Sequence, residues 1–427
     1  MELSEDVLTR LQKLPSKKVQ DLLILALQEQ GWTNIEDVNI APGSALGDGL
    51  MALIYRVRVK GSVKGGERAE LSLVVKNTPK NKARREAFSV PMLFANEQSF
   101  YEKVIPALTQ HLHRNSRPLA VAEFYKSITD GEHDALILED LKEHGFCMAD
   151  RRRGLDLAHC KVVLGELAKL HAASFILKKA NLEVFEELRP FVKDMFWDED
   201  RKFAFEPFVT SCFEETLRTI KPYFDNDDKN IYLQNYRKLI DRGYEFIANI
   251  IRGTALGDQV ITHGDCWTNN LLFKYESEQK PADVRFLDYQ LPRITTPAAD
   301  VTYFLFTSPK CQMMSENYDE LLKTYHESLA SIFKEHAMDP EKIFSREKLY
   351  EEMARTAPYG LTMAGIVVPA VCVPPEHTPD MEKVSGETRD HFVQEYARQM
   401  QADTPEAREQ LALLLKHCVD RGFFKNL

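Results

Sequence analysis

Apolar and polar residues alternate over two neighbouring stretches in the first third of the chain. LIYRVRV (53–59) and AELSLVVK (69–76) both carry the period of two that marks a half-buried strand. Ahead of them, residues 4 to 31 read as helices. Past residue 138 the period changes: LDLAHCKVVLGELAKLHAASFIL (155–177) sets Cys160, Val163, Leu164, Leu167, His171 and Ser174 on one helical stripe. YDELLKTYHESLASIFKEH and REQLALLLKHCVDRGFF repeat the helical spacing, and the polar stretch from His377 reads as a loop. Two apolar runs, LLFKY (271–275) and VRFL (284–287), flank the polar break ESEQKPAD and predict a hairpin. The pattern predicts an α+β protein with a β-rich N-terminal lobe over 1–138 and a helical C-terminal lobe over 139–427.

The open ends of that hairpin carry the residues with chemistry to offer. HGDCWTNNLLF (263–273) precedes the first strand, and VRFLDYQ (284–290) closes the second. Asp265, Asn270 and Asp288 are the three oxygen-bearing side chains that metal-assisted phosphoryl transfer requires. A transferring phosphoryl group is strongly anionic, and Mg²⁺, a hard cation, takes oxygen ligands. Asn270 and Asp288 fit as those ligands. Asp265 fits as the acceptor for the proton of an attacking hydroxyl, because an ionised carboxylate only accepts. The D-x-x-x-x-N spacing matches the kinase catalytic loop, with HGD standing for H-R-D. The bland alternative is a solvated turn, since Asp and Asn are ordinary turn residues.

A kinase must also hold ATP. In APGSALGDGLMALIYRVRVKG, Gly43, Gly47 and Gly49 precede the first strand, and Gly43, Ser44 and Gly47 are the candidate phosphate contacts. The turn is not G-x-G-x-x-G and it carries Asp48, so a hairpin turn without a ligand gives the same pattern. Lys76 ends the second strand. In PMLFANEQSFYEKVIP the residues Leu93, Phe94, Phe100, Tyr101, Val104 and Ile105 make a helical stripe on which Glu97 sits. A carboxylate facing a core needs a partner, and Lys76 is the candidate; the alternative sends Glu97 to solvent. ALIL then runs into Glu139, Asp140 and Leu141, where a linker between lobes falls. The Glu139 carbonyl and Leu141 amide are the candidate contacts for adenine.

LVVK, NEQSFYEKVIP, LILEDL, LGELAKLHAASF, ITHGDCWTNNLLF and FLDYQLPRITTPAADVTYFLFTS together resemble the ecdysteroid kinase-like family, a branch of the choline kinase and aminoglycoside phosphotransferase superfamily. The resemblance runs from about residue 35 to the last helix. It implies a two-lobed protein-kinase-like fold and an ATP-dependent, Mg²⁺-dependent kinase acting on a small-molecule alcohol, with ecdysteroids as the best-known acceptors. It makes Asp265 the catalytic base, Asn270 and Asp288 the Mg²⁺ ligands, Lys76 the phosphate-binding lysine and Glu97 its partner. Asp300 is expected to bond the catalytic loop backbone from beneath. Two departures stand out: the glycine turn is irregular, and ITTPAAD replaces a stretch where relatives often carry Tyr or Gly. Choline-like, aminoglycoside-like or foreign acceptors in detoxification, and a catalytically silent binding protein, stay open.

The remaining sequence narrows the class. The 427 residues carry 55 Lys and Arg against 65 Asp and Glu, a net charge of −10, which disfavours nucleic acid. RRR (151–153) reads as a solvated turn. The acidic, amphipathic start predicts no signal peptide, and YGLTMAGIVVPAVCVPP is too short and proline-broken to span a membrane. A cytoplasmic protein with no obligate protein partner is the expectation. Seven cysteines without C-x-x-C pairs predict reduced thiols, Cys266 among them as a small apolar filler. His171 reads as a satisfied core histidine. The aromatics of FVKDMFWDEDRKFAFEPF (191–208) and VTYFLF (301–306) line an acceptor pocket or fill lobe core. WDED (197–200) reads as a solvated helix end or, for a cationic acceptor, as part of an aromatic cage.

Overall fold

A computed structural model describes residues 2–43, 51–113, 118–277, 280–373 and 404–425. Of the glycine turn only Gly43 is among them. Ser44, Gly47, Asp48 and Gly49, and the stretch from His377, lie outside the described residues. The described residues divide into two compact units: Met1–Glu102 with Val121–Cys147, and Lys103–Ala120 with Met148–Val373 and Gln401–Leu427. The division thus interleaves, where sequence pattern placed one cut after 138. Residues 103–120 join the second unit through main-chain carbonyls: Ala120 O accepts from Phe286 N (2.8 Å) and Pro118 O from Lys169 Nζ (3.2 Å).

In the first unit, helices α1 (Glu5–Leu11) and α2 (Lys17–Glu29) start where the hydroxyls of Ser4 and Ser16 accept from Val7 N and Val19 N. They cover a six-stranded sheet of β1 (Glu2–Leu3), β2 (Trp32–Pro42), β3 (Leu53–Val63), β4 (Arg68–Asn77), β5 (Phe124–Ile128) and β6 (Ala135–Glu139), ordered β1-β2-β3-β4-β6-β5. The period of two sorts its faces. Val57, Val59, Leu73 and Val75 join Val7, Leu11, Leu22 and Leu23 in one core. Arg56, Ser72 and Lys76 therefore share the opposite face.

Helices α3 (Lys82–Ala87) and α4 (Val90–Ser99) come next, and a π turn, Phe100–Val104, separates α4 from α5 (Ile105–Gln110). The expected single stripe is thereby re-registered. The wider turn keeps Phe100, Tyr101 and Val104 buried and leaves Ile105 half-buried.

The short β7 (Phe146–Met148) ends the stretch of the first unit at Cys147; from Met148 the second unit runs into α6 (Leu157–Ala180), whose whole expected stripe is buried, and then α7 (Leu182–Leu188), α8 (Lys202–Ile220) and α9 (Ile231–Arg252). Next come β8 (Val260–Thr262), the antiparallel hairpin β9 (Leu271–Ser277) and β10 (Lys280–Phe286), and β11 (Arg293–Thr295), which pairs back onto β8. The chain then runs through α10 (Pro297–Thr307), α11 (Cys311–Glu316), α12 (Tyr318–Glu335), α13 (Pro340–Ile343), α14 (Arg346–Cys372) and a last described helix, Pro405–Asp420.

Every residue of α10 is buried. α14 packs closely on it at Gly360, where a Cβ would collide with the Thr302 methyl. The fold class is α+β, a β-rich N-terminal unit and a helical second one. No helix among the described residues is long and apolar enough to cross a membrane. All seven cysteines are free.

Candidate active site

Strand β8 ends at Thr262, and α10 holds the loop beyond it. Asp300, in the first turn of α10, accepts from the amides of His263 (to Oδ2, 2.7 Å) and Gly264 (to Oδ1, 2.9 Å). His171 Nε2 also donates to Oδ2 (3.1 Å), and the Tyr325 hydroxyl donates to His171 Nδ1 (2.8 Å). The expected supporting role of Asp300 and the satisfied core role of His171 are one network. Burial pushes the Asp300 carboxyl up, but the hydrogen bond from His171 and then the Gly264 amide outweigh it and hold it low. Gly264 has φ +80°, and a Cβ there would run into Leu291 O, so only glycine fits the turn.

His263 ties the loop to the far end of the hairpin. Its Nδ1 accepts from Asp265 N (3.2 Å) and its Nε2 donates to Leu287 O (3.0 Å). Those partners assign the neutral tautomer with hydrogen on Nε2, and burial lowers its pKa in the same sense. Leu287 N in turn donates to Asn270 O (2.9 Å), so the two open ends of the hairpin meet as expected. Asp288 comes next at φ +62°, a left-handed conformation that Asp tolerates better than most residues.

Asp265 is gripped on both carboxylate oxygens. Oδ1 accepts from the Tyr303 hydroxyl (2.7 Å) and Oδ2 from Asn270 Nδ2 (2.9 Å). Burial raises its carboxyl pKa, opposed by the Tyr303 bond and by His263. Asn270 Nδ2 also donates to Asp265 O (2.9 Å), which fixes the orientation of the amide. Asn270 Oδ1 and the Asp288 carboxylate are hard oxygen donors of the kind Mg²⁺ takes in ones and twos beside substrate phosphates. Among the described residues no three His, Cys, Asp or Glu gather into a metal-holding cluster. Cys266 is buried with its thiol pKa pushed well up, the inert filler expected.

In the first unit Lys76 Nζ lies 2.6 Å from Glu97 Oε2, with side chains 5% and 1% exposed. The reading that sent Glu97 to solvent is excluded. The segment 139–141, expected as a linker, lies inside the first unit and is pinned by a residue to which the sequence pattern gives no role. Asp140, buried, accepts from the Arg56 guanidinium (Nε, 2.8 Å), Ser72 Oγ (2.9 Å) and Lys142 N (3.2 Å). Glu139 N donates to Glu123 O (2.9 Å), and Leu141 is buried. The shared face parity of Arg56 and Ser72 was the available signal. Gly43 N donates to Ile54 O (2.8 Å) at the end of β2.

The WDED stretch is neither cage nor solvated helix end at its tryptophan. Trp197 is fully buried, stacked on Tyr244 (5.3 Å) and edge-on to Tyr359 (6.0 Å). Asp198 is half-buried, its pKa pushed up to about 6 by burial, then by Asp194 and Asp200. Arg293 donates to the Tyr359 hydroxyl (2.6 Å), and the Tyr359 ring lies 6.4 Å from that of Tyr303. In the sequence pattern Tyr303 stands out only as one aromatic of VTYFLF. Its position three residues after Asp300, on the same helical face, was the signal for its contact with the loop.

The sequence model of the ecdysteroid kinase-like family matches residues 46–338. No curated protein matches the chain. Among solved structures, the GDP complex of a mutant aminoglycoside 2′-phosphotransferase IIIa is 11% identical, covering 95% of this chain and 98% of that one, with a TM-score of 0.41. A microcompartment-associated aminopropanol kinase is 10% identical, covering 92% and 100%, with a TM-score of 0.43. The family match is the stronger finding, since it spans well over half of the chain and takes in Lys76, Glu97, Asp265, Asn270 and Asp288. The chain belongs to the ecdysteroid kinase-like family.

Proposed function

We propose that this phosphotransferase moves the γ-phosphate of ATP to a hydroxyl of a small, largely apolar alcohol such as an ecdysteroid. The supporting observation is the grip on Asp265: a half-buried carboxylate held at both oxygens, five residues before an Asn whose own amide is oriented by it. In the reaction the acceptor oxygen bonds to the γ-phosphorus while the bond from that phosphorus to the β,γ-bridging oxygen breaks and ADP leaves. The hydroxyl proton passes to Asp265, whose raised pKa suits it to receive one. Asn270 Oδ1 and Asp288 would hold Mg²⁺, which when bound neutralises charge on the phosphates. Lys76, aimed by Glu97, takes nucleotide phosphate oxygens. The Glu139 carbonyl and Leu141 amide read adenine, with Gly43, Ser44 and Gly47 as further phosphate contacts. The covered faces of Trp197 favour a neutral acceptor over a caged cation at that stretch.

The test is acceptor-dependent ADP release with Mg·ATP against an ecdysteroid, choline, an aminoglycoside, a phenolic glucoside and a blank. Turnover of one neutral alcohol, abolished by Asp265→Ala with nucleotide affinity preserved, is the expected result. An Asp265→Ala variant with full turnover would refute the base assignment, and choline as sole acceptor would refute the substrate class.

A further inference from the structure

We propose that Tyr303 is a positioning residue for phosphoryl transfer: its hydroxyl locks the plane of the Asp265 carboxylate so that the base stays aimed at the acceptor hydroxyl. The role rests on the kinase reading above. Its basis is the way α10 grips the loop. Asp300 holds the amides of His263 and Gly264, and Tyr303, one turn later on the same helix, holds the side chain of Asp265 at 2.7 Å. Three consecutive loop residues are therefore clamped by one helix. That helix has little freedom to relax, being buried along its whole length and braced by Gly360 of α14.

The hydroxyl matters because the last torsion of an aspartate is soft. Rotation about Cβ–Cγ is broad and two-fold, so a carboxylate held at one oxygen still swings. Asn270 holds Oδ2 alone. The bond from Tyr303 to Oδ1 is the second point that stops rotation, and it leaves each oxygen a further lone pair for an incoming hydroxyl. Burial keeps the Tyr303 phenol protonated, so it faces the carboxylate as a donor. Behind it, Tyr359 is itself fixed by Arg293, which leaves the ring of Tyr303 a rigid backing. A tyrosine serving only as core filler would need its ring and not its hydroxyl.

Tyr303→Phe in the full chain separates these roles. With Mg·ATP and whichever panel acceptor supports turnover, kcat is expected to fall roughly 10- to 100-fold, the scale of a misaimed catalytic group. KM for ATP and direct nucleotide affinity should stay within about twofold. Tyr318→Phe, a buried hydroxyl removed elsewhere in the unit, should leave kcat unchanged. If Tyr303→Phe expresses poorly, urea unfolding of Tyr303→Phe, Asp265→Asn and the double variant keeps the pairing measurable, and additive effects would overturn it. Wild-type turnover with an unimpaired Tyr303→Phe, or kcat and nucleotide affinity falling together, overturns this role alone. A wild type inactive on every acceptor overturns the kinase reading and this role with it.

Discussion

Replacing Asp300 with Asn tests the support beneath the catalytic loop. The ionised carboxylate accepts three hydrogen bonds, two at Oδ2 from His263 N and His171 Nε2 and one at Oδ1 from Gly264 N. An amide offers one acceptor oxygen. In its better orientation the Asp300→Asn side chain keeps the pair of bonds now made at Oδ2 and turns an NH₂ group toward the Gly264 N–H. One bond to a charged acceptor is lost, about 1.5–3 kcal/mol, and a buried N–H is orphaned, about 1–3 kcal/mol. Together they remove about 2.5–6 kcal/mol of local stability, or roughly two to four powers of ten in an opening equilibrium. Hydrogen exchange of the peptide spanning 260–270 reads the loop directly, and the amides of His263 and Gly264 should lose protection by that factor. Protection within about threefold of wild type would show that the Asp300 bonds do not hold the loop. The sign with pH comes from the lowered carboxyl: its contribution is present above the ordinary carboxylate pKa and is lost as pH falls through the still lower folded value.

Lys76→Met removes the ammonium that faces Glu97 at 2.6 Å; ATP affinity by calorimetry should drop at least tenfold, about 1.4 kcal/mol, and unchanged affinity would remove Lys76 from the phosphate site. Gly264→Ala forces a left-handed alanine costing about 1–2 kcal/mol before its Cβ meets Leu291 O. Its kcat should collapse, and a variant with wild-type turnover would contradict the turn described. His417 is buried among Tyr318, Phe306 and Phe423, and burial, then the Arg421 charge, lowers its pKa to about 4. A depressed histidine stabilises the fold above its unfolded pKa and loses that contribution as pH falls through the folded value. Thermal stability should therefore decline between about pH 6.5 and 4, and His417→Phe should flatten that decline.

Local pattern made much of the fold legible in the sequence. The period of two in β3 and β4 is kept in the folded strands, with Val57 and Val75 in one core and Lys76 on the opposite face, and the helical stripe of α6 is buried from Cys160 to Ser174. Asp265, Asn270 and Asp288 could be grouped because a hairpin relates its own ends, and the Leu287 to Asn270 bond shows that it does. The contacts that escaped notice join distant segments. Tyr303 meets Asp265 across 38 positions and Arg56 meets Asp140 across 84, and periodicity reports which face a residue takes, not what waits opposite. The π turn at Phe100–Val104 escaped for another reason: it changes the helix period itself, which any fixed stripe assumes constant. The core reading of the aromatics in 191–208 holds for Trp197, whose ring packs against Tyr244 and Tyr359, while the solvated reading of WDED fits only its exposed Glu199 and Asp200.

The main-chain bond at the base of the β9–β10 hairpin has a practical consequence. Since Leu287 N and Asn270 O set the meeting of the two ends, the paired strands beyond them are free to lengthen in whole steps without moving either end. The count of residues between Asn270 and Asp288 is then a variable, and a search pattern written with that gap fixed would overlook kin with longer or shorter hairpins. For the same reason, a peptide tag spliced between the strands, away from their base, offers a handle for labelling this kinase-like protein with its loop undisturbed.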